Sequence, residues 1–360
     1  MLELLENLKN NILDLKLSKP LEDSFIQIVN ELSEQIIRLE FKLKSFAEKG
    51  RSATKLLSNI IEELNEKKLY IEKINKKLNK QKAEIHKQAK NLAKTNIEIT
   101  LQKDKIQKSH NNITASINYA QRIQNAVLPT EELITSLFPQ HFILFKPCDI
   151  VSGDFYFIKS YKNQIYIVAA DCTGHGVPGA FMSMLGVALL NEIVRKPEIQ
   201  NAAQMLDELR TQVKNSLQQT GQKDEQQDGM DIAFAEINIE NKLLSFAGAN
   251  NSMLLFRDSE MIELKADRMP VGVYLKEQSF TNHEIFLKSN DVLYLYSDGY
   301  YSQFRETTQE TMKIKRFKQL LKEIHKLDFD IQKQRLDDYL NEWRGNEAQV
   351  DDILIIGLKI

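Results

Sequence analysis

A seven-residue repeat of apolar side chains restricts this chain more than any other feature of it. Leu57, Ile60, Leu64, Ile71 and Ile74 follow steps of three, four and seven. One apolar position then recurs every seventh residue through Leu78, Ile85, Leu92, Ile99, Ile106, Ile113, Ala120 and Val127. Only a helix returns side chains to one face at that spacing, and a seven-residue period sustained this long implies a left-handed coiled coil. At 1.5 Å per residue the unbroken helix from Leu57 to Val127 would run roughly 100 Å. The same register is set upstream by Val29, Leu32, Ile36, Leu39, Leu43 and Phe46, and Pro20 sets off a shorter amphipathic segment, Leu2 to Leu17. Gly50 could fold the coil back as a hairpin, and the pattern fits one rod as well.

The second seam position is polar, reading Gln81, Gln88, Thr95, Gln102, Ser109 and Ser116. Such a seam fixes register at the expense of stability. It suits either a plain spacer and dimerisation rod or a marginal helix that shifts to transmit a signal. Lysine outnumbers acid between Lys67 and Lys108, which reads as the solvated face of the coil rather than a membrane or nucleic-acid surface.

Beyond Leu128-Pro129 the texture changes to short strands punctuated by turns. Strands are expected at 141–146, 155–158, 165–170, 232–237, 243–247, 253–256, 279–286, 292–296 and 353–360. Helices are expected at 180–194, 202–217, 312–325 and 331–343, with a polar loop over 218–228. Strands in blocks with helices in pairs, rather than strict alternation, imply an α+β sandwich of antiparallel sheets. The domain expectation is a short amphipathic helix over 1–20, a coiled-coil linker over 21–127 and a mixed helix-and-strand domain over 128–360. A chain of 360 residues, 42% hydrophobic, has ample material for such a core. The net charge of −2 argues against nucleic-acid binding. Two cysteines, Cys148 and Cys172, offer no disulfide framework and fit a reducing compartment. No apolar run reaches membrane-spanning length, and the opening Met1-Leu2-Glu3-Leu4-Leu5-Glu6 lacks the order of a signal peptide. The expected location is cytoplasmic.

Chemistry concentrates where core strands meet turns. The run Ile165 to Ala170 delivers Asp171 to the turn Cys172-Thr173-Gly174-His175-Gly176, with Pro178 near the first turn of the helix that follows. Asp298 follows Val292 to Ser297 and precedes Gly299. Asp351 and Asp352 open the last strand, and Asp154 follows Val151-Ser152-Gly153. Each alone would be an ordinary turn residue. Together and without a counter-charge they would repel one another, and an all-oxygen cluster suits a hard divalent cation, Mg²⁺ or Mn²⁺. Cys/His spacing for zinc, a phosphate-binding Gly-x-x-x-x-Gly-Lys loop and a Gly-x-Ser-x-Gly nucleophile turn are all missing.

At these residues the chain resembles the SpoIIE/RsbU-type serine phosphatases, the bacterial branch of the metal-dependent (type 2C) protein phosphatases. Val151 to Tyr156, Asp171 to Gly176, Ser297-Asp298-Gly299 and Asp351-Asp352-Ile353 match that family's signatures in order, and Ala247 to Asn250 and Met269 to Gly272 match its texture between them. The resemblance runs from about Ile117 to the C-terminus, and the preceding coil is similar in type to the helical linkers of such phosphatases. It implies an αββα sandwich and a site for two ions. Asp171 would bridge both metals, Asp298 and Asp351 would complete the coordination of the first metal, and the Cys172 carbonyl and, through water, Asp154 would serve the second metal. The implied activity is hydrolysis of phosphoserine or phosphothreonine on a regulatory protein of the anti-sigma-factor antagonist type, controlled through the coil of a homodimer. A catalytically weak phosphoprotein-binding scaffold is the alternative, and retention of Asp171 and Asp298 favours the enzyme. Ser152 stands where the family commonly has glycine. His175 lies four residues after the bridging aspartate, where eukaryotic relatives place a histidine two after it. Helix capping or packing is as fitting a role for it as catalysis. Lys146 is a weak phosphate-clamp candidate, Asp231 reads as a turn residue rather than a further ligand, and Cys172 as a small residue in a tight turn.

Overall fold

The apolar repeat is built as three helices. The structure, a computed structural model, describes residues 1–15, 17–46, 53–222 and 227–360, and it divides into two units, Met1–Ser109 and His110–Ile360. In the first unit lie α1 (Leu2–Asp14), α2 (Lys19–Phe46) and the start of α3 (Ala53–Val127). Pro20 falls in the first turn of α2, where its missing N–H is no loss. Leu5, Leu8, Ile12 and Leu15 of α1 join Val29, Leu32 and Ile36 of α2 and Ile71 and Leu78 of α3 in one apolar cluster. The seam is therefore filled within the chain as far as Leu78. Beyond it the same heptad position is exposed, to 63% at Leu92 and 68% at Ile106. Gly50, the expected hinge, lies outside the described residues.

The second unit is a four-layer sandwich. After α4 (Glu131–Leu137) come β1 (His141–Lys146), β2 (Phe155–Tyr161), β3 (Gln164–Cys172), α5 (Gly176–Ile193) and α6 (Ala202–Ser216). There follow β4 (Met230–Asn238), β5 (Leu243–Ala249), β6 (Met253–Arg257), β7 (Glu260–Leu264), β8 (His283–Phe286) and β9 (Val292–Tyr296). The chain closes through α7 (Gly299–Ser302), α8 (Lys313–Ile324), α9 (Phe329–Arg344) and β10 (Ile353–Lys359). One antiparallel sheet has the order β1-β10-β9-β6-β7, the other β2-β3-β4-β5-β8.

Side-chain alternation sorts these strands into layers. Ile167 and Ala169 of β3 meet Leu293 and Leu295 of β9 and Leu354 and Ile356 of β10 between the sheets. Val168 and Ala170 turn outward onto α5 and α6. Tyr294, Tyr296 and Ile355 turn the opposite way, onto α8 and α9. The αββα architecture expected above is what the chain adopts.

The elements that differ from expectation do so for local reasons. α4 starts at a capped turn in which the Thr130 hydroxyl accepts from the Leu133 N–H. It is too short to show a helical period. β7 is partly exposed and pairs only with β6, so its sequence lacks a buried strand's apolar run. β3 extends to Cys172, which places Asp171 inside the strand rather than after it. α5 begins at Gly176, four residues earlier than its apolar period suggests.

Candidate active site

The gap between the sheets ends where β3, β4, β9 and β10 deliver their carboxylates. Asp171 of β3 pairs across the sheet with Asp231 of β4. Asp231 is thus a strand residue and not the turn residue expected of it. It shares the inward phase of Ala233 and Ala235, and its Oδ1 accepts from Asn250 Nδ2 at 2.8 Å. From the other sheet Asp298 stands at the N-terminus of α7 just beyond β9, and Asp351 precedes β10. Asp171, Cys172, Thr173, Gly174, His175, Asp231, Asp298 and Asp351 line one cleft of about 260 Å³. A larger hollow of about 580 Å³ beside Phe256 and His325 holds no comparable group of acids, so chemistry and not size marks the site.

Asp154, the remaining expected ligand, sits beneath the cleft and is 1% exposed. Its Oδ2 accepts from Ser297 Oγ at 2.6 Å, while its Oδ1 is buried with no partner. The loop that carries it is held from two sides. Asp352 accepts from the Cys148 N–H at 2.7 Å and from the Gly153 N–H at 2.6 Å. On the other side the buried Gln124 amide of α3 forms a two-way pair with Ser152, donating Nε2 to its carbonyl at 2.6 Å and accepting its N–H at 3.1 Å. Gln124 also donates to Ser183 Oγ of α5 at 2.8 Å. Nothing local in the sequence marks Gln124, since its partners lie 28 and 59 positions away.

Backbone meets backbone at the mouth of the cleft. A Cβ on Gly179 would collide with the Gly174 carbonyl oxygen and stand 2.8 Å from the Gly153 Cα. Gly174 itself turns with φ +83°, a conformation open to glycine at no steric cost. These glycines let α5 approach both the Asp154 loop and the turn after Asp171.

The electrostatics follow from the crowding. Burial above all, then Asp154, Asp298, Asp351 and Asp231, push the Asp171 carboxyl up to about 10. Burial likewise raises Asp154, Asp231 and Asp351. Among the described residues lining the cleft the single cationic candidate is His175. Its Nδ1 lies 2.6 Å from Asp149 Oδ2, a hydrogen bond that raises the imidazole. His175 stands at the N-cap of α5 but makes no capping bond with its side chain. Lys146 is paired with Asp337 of α9 and is no phosphate clamp.

Carboxylates packed this way are stable together only as neutral acids or around cations. Among the described residues no three His, Cys, Asp or Glu side chains stand close enough together to enclose an ion. The donor set is oxygen throughout, apart from His175, and the orphaned Asp154 Oδ1 points to a missing positive partner. Hard divalent ions fit these residues.

The sequence pattern of the stage II sporulation protein E (SpoIIE) family matches residues 161–360. The fold is similar to the SiaA-PP2C domain of Pseudomonas aeruginosa, with 29% identity and a TM-score of 0.63 over 70% of this chain and 98% of that one. The phosphatase domain of SpoIIE from Bacillus subtilis, solved with a fragment of its regulatory domain, matches 61% of this chain and 61% of its own at 16% identity and a TM-score of 0.48. The RsbU and RsbW domains of a Mycobacterium tuberculosis protein match 62% of this chain and 60% of their own at 18% identity and a TM-score of 0.48. No curated protein matches the chain.

Proposed function

The chain belongs to the SpoIIE family, and from that premise we propose that it is a metal-dependent protein serine/threonine phosphatase acting on a phosphorylated regulatory protein of the anti-sigma-factor antagonist type. The observation that carries the reading is the convergence of Asp171, Asp298 and Asp351 on one cleft, with Asp154 buried beneath it. Two Mn²⁺ or Mg²⁺ ions would be held there. Asp171 would lie between them, Asp298 and Asp351 on one, the Cys172 carbonyl and, through water, Asp154 on the other. Bound cations supply charge to the phosphoryl oxygens and lower the pKa of water for attack on phosphorus. The protein's own part is positional. Ser297 fixes one oxygen of Asp154, and Asp352 and Gln124 hold the loop behind it. Asp231, locked by Asn250, adds negative charge to the far wall.

The test is hydrolysis of p-nitrophenyl phosphate by the full chain. Turnover should need Mn²⁺ or Mg²⁺, stop with chelator and fall to background in Asp298→Asn. Turnover in chelator, or undiminished turnover in Asp298→Asn, removes the reading.

Regulation through the N-terminal helices of a homodimer belongs to the same proposal. The support is the α3 stripe Ile85, Leu92, Ile99 and Ile106, exposed along its length. One apolar residue in every heptad forms a seam that a parallel second copy would bury. Light scattering at micromolar concentration should give twice the chain mass; a monomer would remove the dimer and leave the phosphatase reading standing.

A further inference from the structure

A helix that covers a sheet needs one apolar face, and α5 has two. No charged residue stands between Gly176 and Asn191. The inner face, through Gly179, Met182, Gly186 and Leu190, is buried. The outer face carries Val177, 39% exposed, and Phe181, 74% exposed, and continues over half-buried Leu185. By length and composition α5 could cross a membrane, but half of it is buried within the domain, as befits a core helix. Packing explains the inner face only. Val177 and Phe181, four positions apart, stand side by side on that face, and contiguous exposed apolar surface is where proteins meet partners.

The outer face begins at the cleft. Val177 stands two residues after His175, which lines it. On the other side of the same turn the Thr173 N–H donates to the Gly229 carbonyl at 3.0 Å. Gly229 in turn abuts Gly272, where an added Cβ would stand 3.1 Å from the Gly229 Cα. From Gly272 the chain runs on to Tyr274, 42% exposed, and Leu275, fully exposed. Exposed apolar side chains therefore follow the turn after Asp171 along α5, and two more stand two and three residues beyond Gly272, which packs on the Gly229 that this turn hydrogen-bonds.

On the reading of this cleft as a protein phosphatase site, we infer that Val177 and Phe181 of α5, with Tyr274 and Leu275, form a docking rim that selects phosphoproteins whose phosphoserine is flanked by apolar side chains. Acidic neighbours gain nothing from α5, which offers them no cation, and the lysine after Leu275, Lys276, is exposed to water, where an ion pair contributes little. His175 is already engaged by Asp149, and Lys214 by Glu277. Apolar neighbours gain buried area on Phe181 and Leu275 and leave no charge unpaired.

Two phosphopeptides of equal length test this with Mn²⁺-loaded full-length protein, one placing phosphoserine between leucine and valine and the other between glutamates. Wild type should favour the apolar peptide in kcat/KM by about tenfold or more, the usual scale of one or two apolar contacts. Phe181→Ser combined with Leu275→Ser should bring the ratio near one, and Phe181→Leu should keep it. Melting curves check that the variants are folded. No preference in wild type, a preference for glutamate, or a preference that survives the double substitution overturns the rim. So does loss of preference accompanied by a change from dimer to monomer, which would assign the face to a second copy. If p-nitrophenyl phosphate is not hydrolysed at all, the phosphatase reading itself fails, and the rim with it.

Discussion

The two outer layers of the sandwich solve one packing problem with opposite sequences. α8 buries Phe317, Leu321 and Ile324 against its sheet and shows Lys315, Arg316 and Lys322 to solvent. α5 buries Met182, Val187, Leu190 and Ile193 against the other sheet yet shows Val177 and Phe181. A sheet dictates only the face that meets it. The outer face of α8 is what solubility asks for, and that of α5 answers to something else beside the cleft. The layers differ underneath as well. Below α9 the Tyr294 hydroxyl donates to the buried Gln332 Oε1 at 2.5 Å, a satisfied pair. Near α6 the Glu236 carboxylate is 5% exposed with Oε2 unpartnered, and burial pushes it up to about 7.

Substitution can sharpen or break this contrast. The largest separation is expected between Asp171→Asn, which should drop Mn²⁺-dependent turnover to background, and Lys315→Ala on α8, which should stay within about twofold of wild type. In chelator Asp171→Asn should melt no lower than wild type, since it removes a carboxyl whose ionisation the site resists. Equal losses in both variants would erase the distinction between the layers.

Next comes Gly179→Ala. Its methyl meets backbone on two sides, which leaves no side chain to yield, and about 3 kcal/mol of stability should be lost. Gly186→Ala meets the ring end of Phe155 and the Met230 methyl, which can shift, so about 1 kcal/mol is expected. Comparable melting temperatures for the two would show that α5 is not pressed most tightly at the site.

Glu236 gives the pH arm. A carboxyl raised by the fold stabilises below its unfolded value near 4.5, and that contribution is lost as pH rises through about 7. Glu236→Gln should therefore exceed wild type by roughly 3 kcal/mol at pH 8 and match it near pH 4.5, by denaturant titration at each pH. A difference independent of pH would mean that a cation or water already satisfies Glu236. The smallest effect on the domain itself is expected from Gln81, Gln88 and Gln102 all changed to leucine. Helix stability should rise and activity should cease to respond to whatever acts on the coil. If helix stability rises while basal activity and metal affinity are untouched, the coil is a tether.

The fold was legible wherever one period dominated. β1 and β9 fall at the expected bounds because each is a short, apolar, β-branched or aromatic run between turns. α3 was legible from its heptads. What α2 and α3 do with that seam was not, because a heptad describes a face and not its partner, and as far as Leu78 the partner is the chain itself. At the site Asp154, Asp171, Asp298 and Asp351 stand out in the sequence because each ends or opens a core strand beside a turn, whereas Cys172 enters only through the family resemblance. Asp231 was misread as part of a turn because its strand begins directly after Gly229. Gln124 and Asp149 act through contacts remote in sequence, which no local pattern encodes.

Calorimetric titration of the metal-free protein with Mn²⁺ tests the central claim most directly. If the carboxylates at the end of the inter-sheet gap form one cation site, wild type should bind two ions per chain, and Asp171→Asn, folded by its melting curve, should lose that binding. Absence of binding by wild type, or the same isotherm from Asp171→Asn, would contradict it.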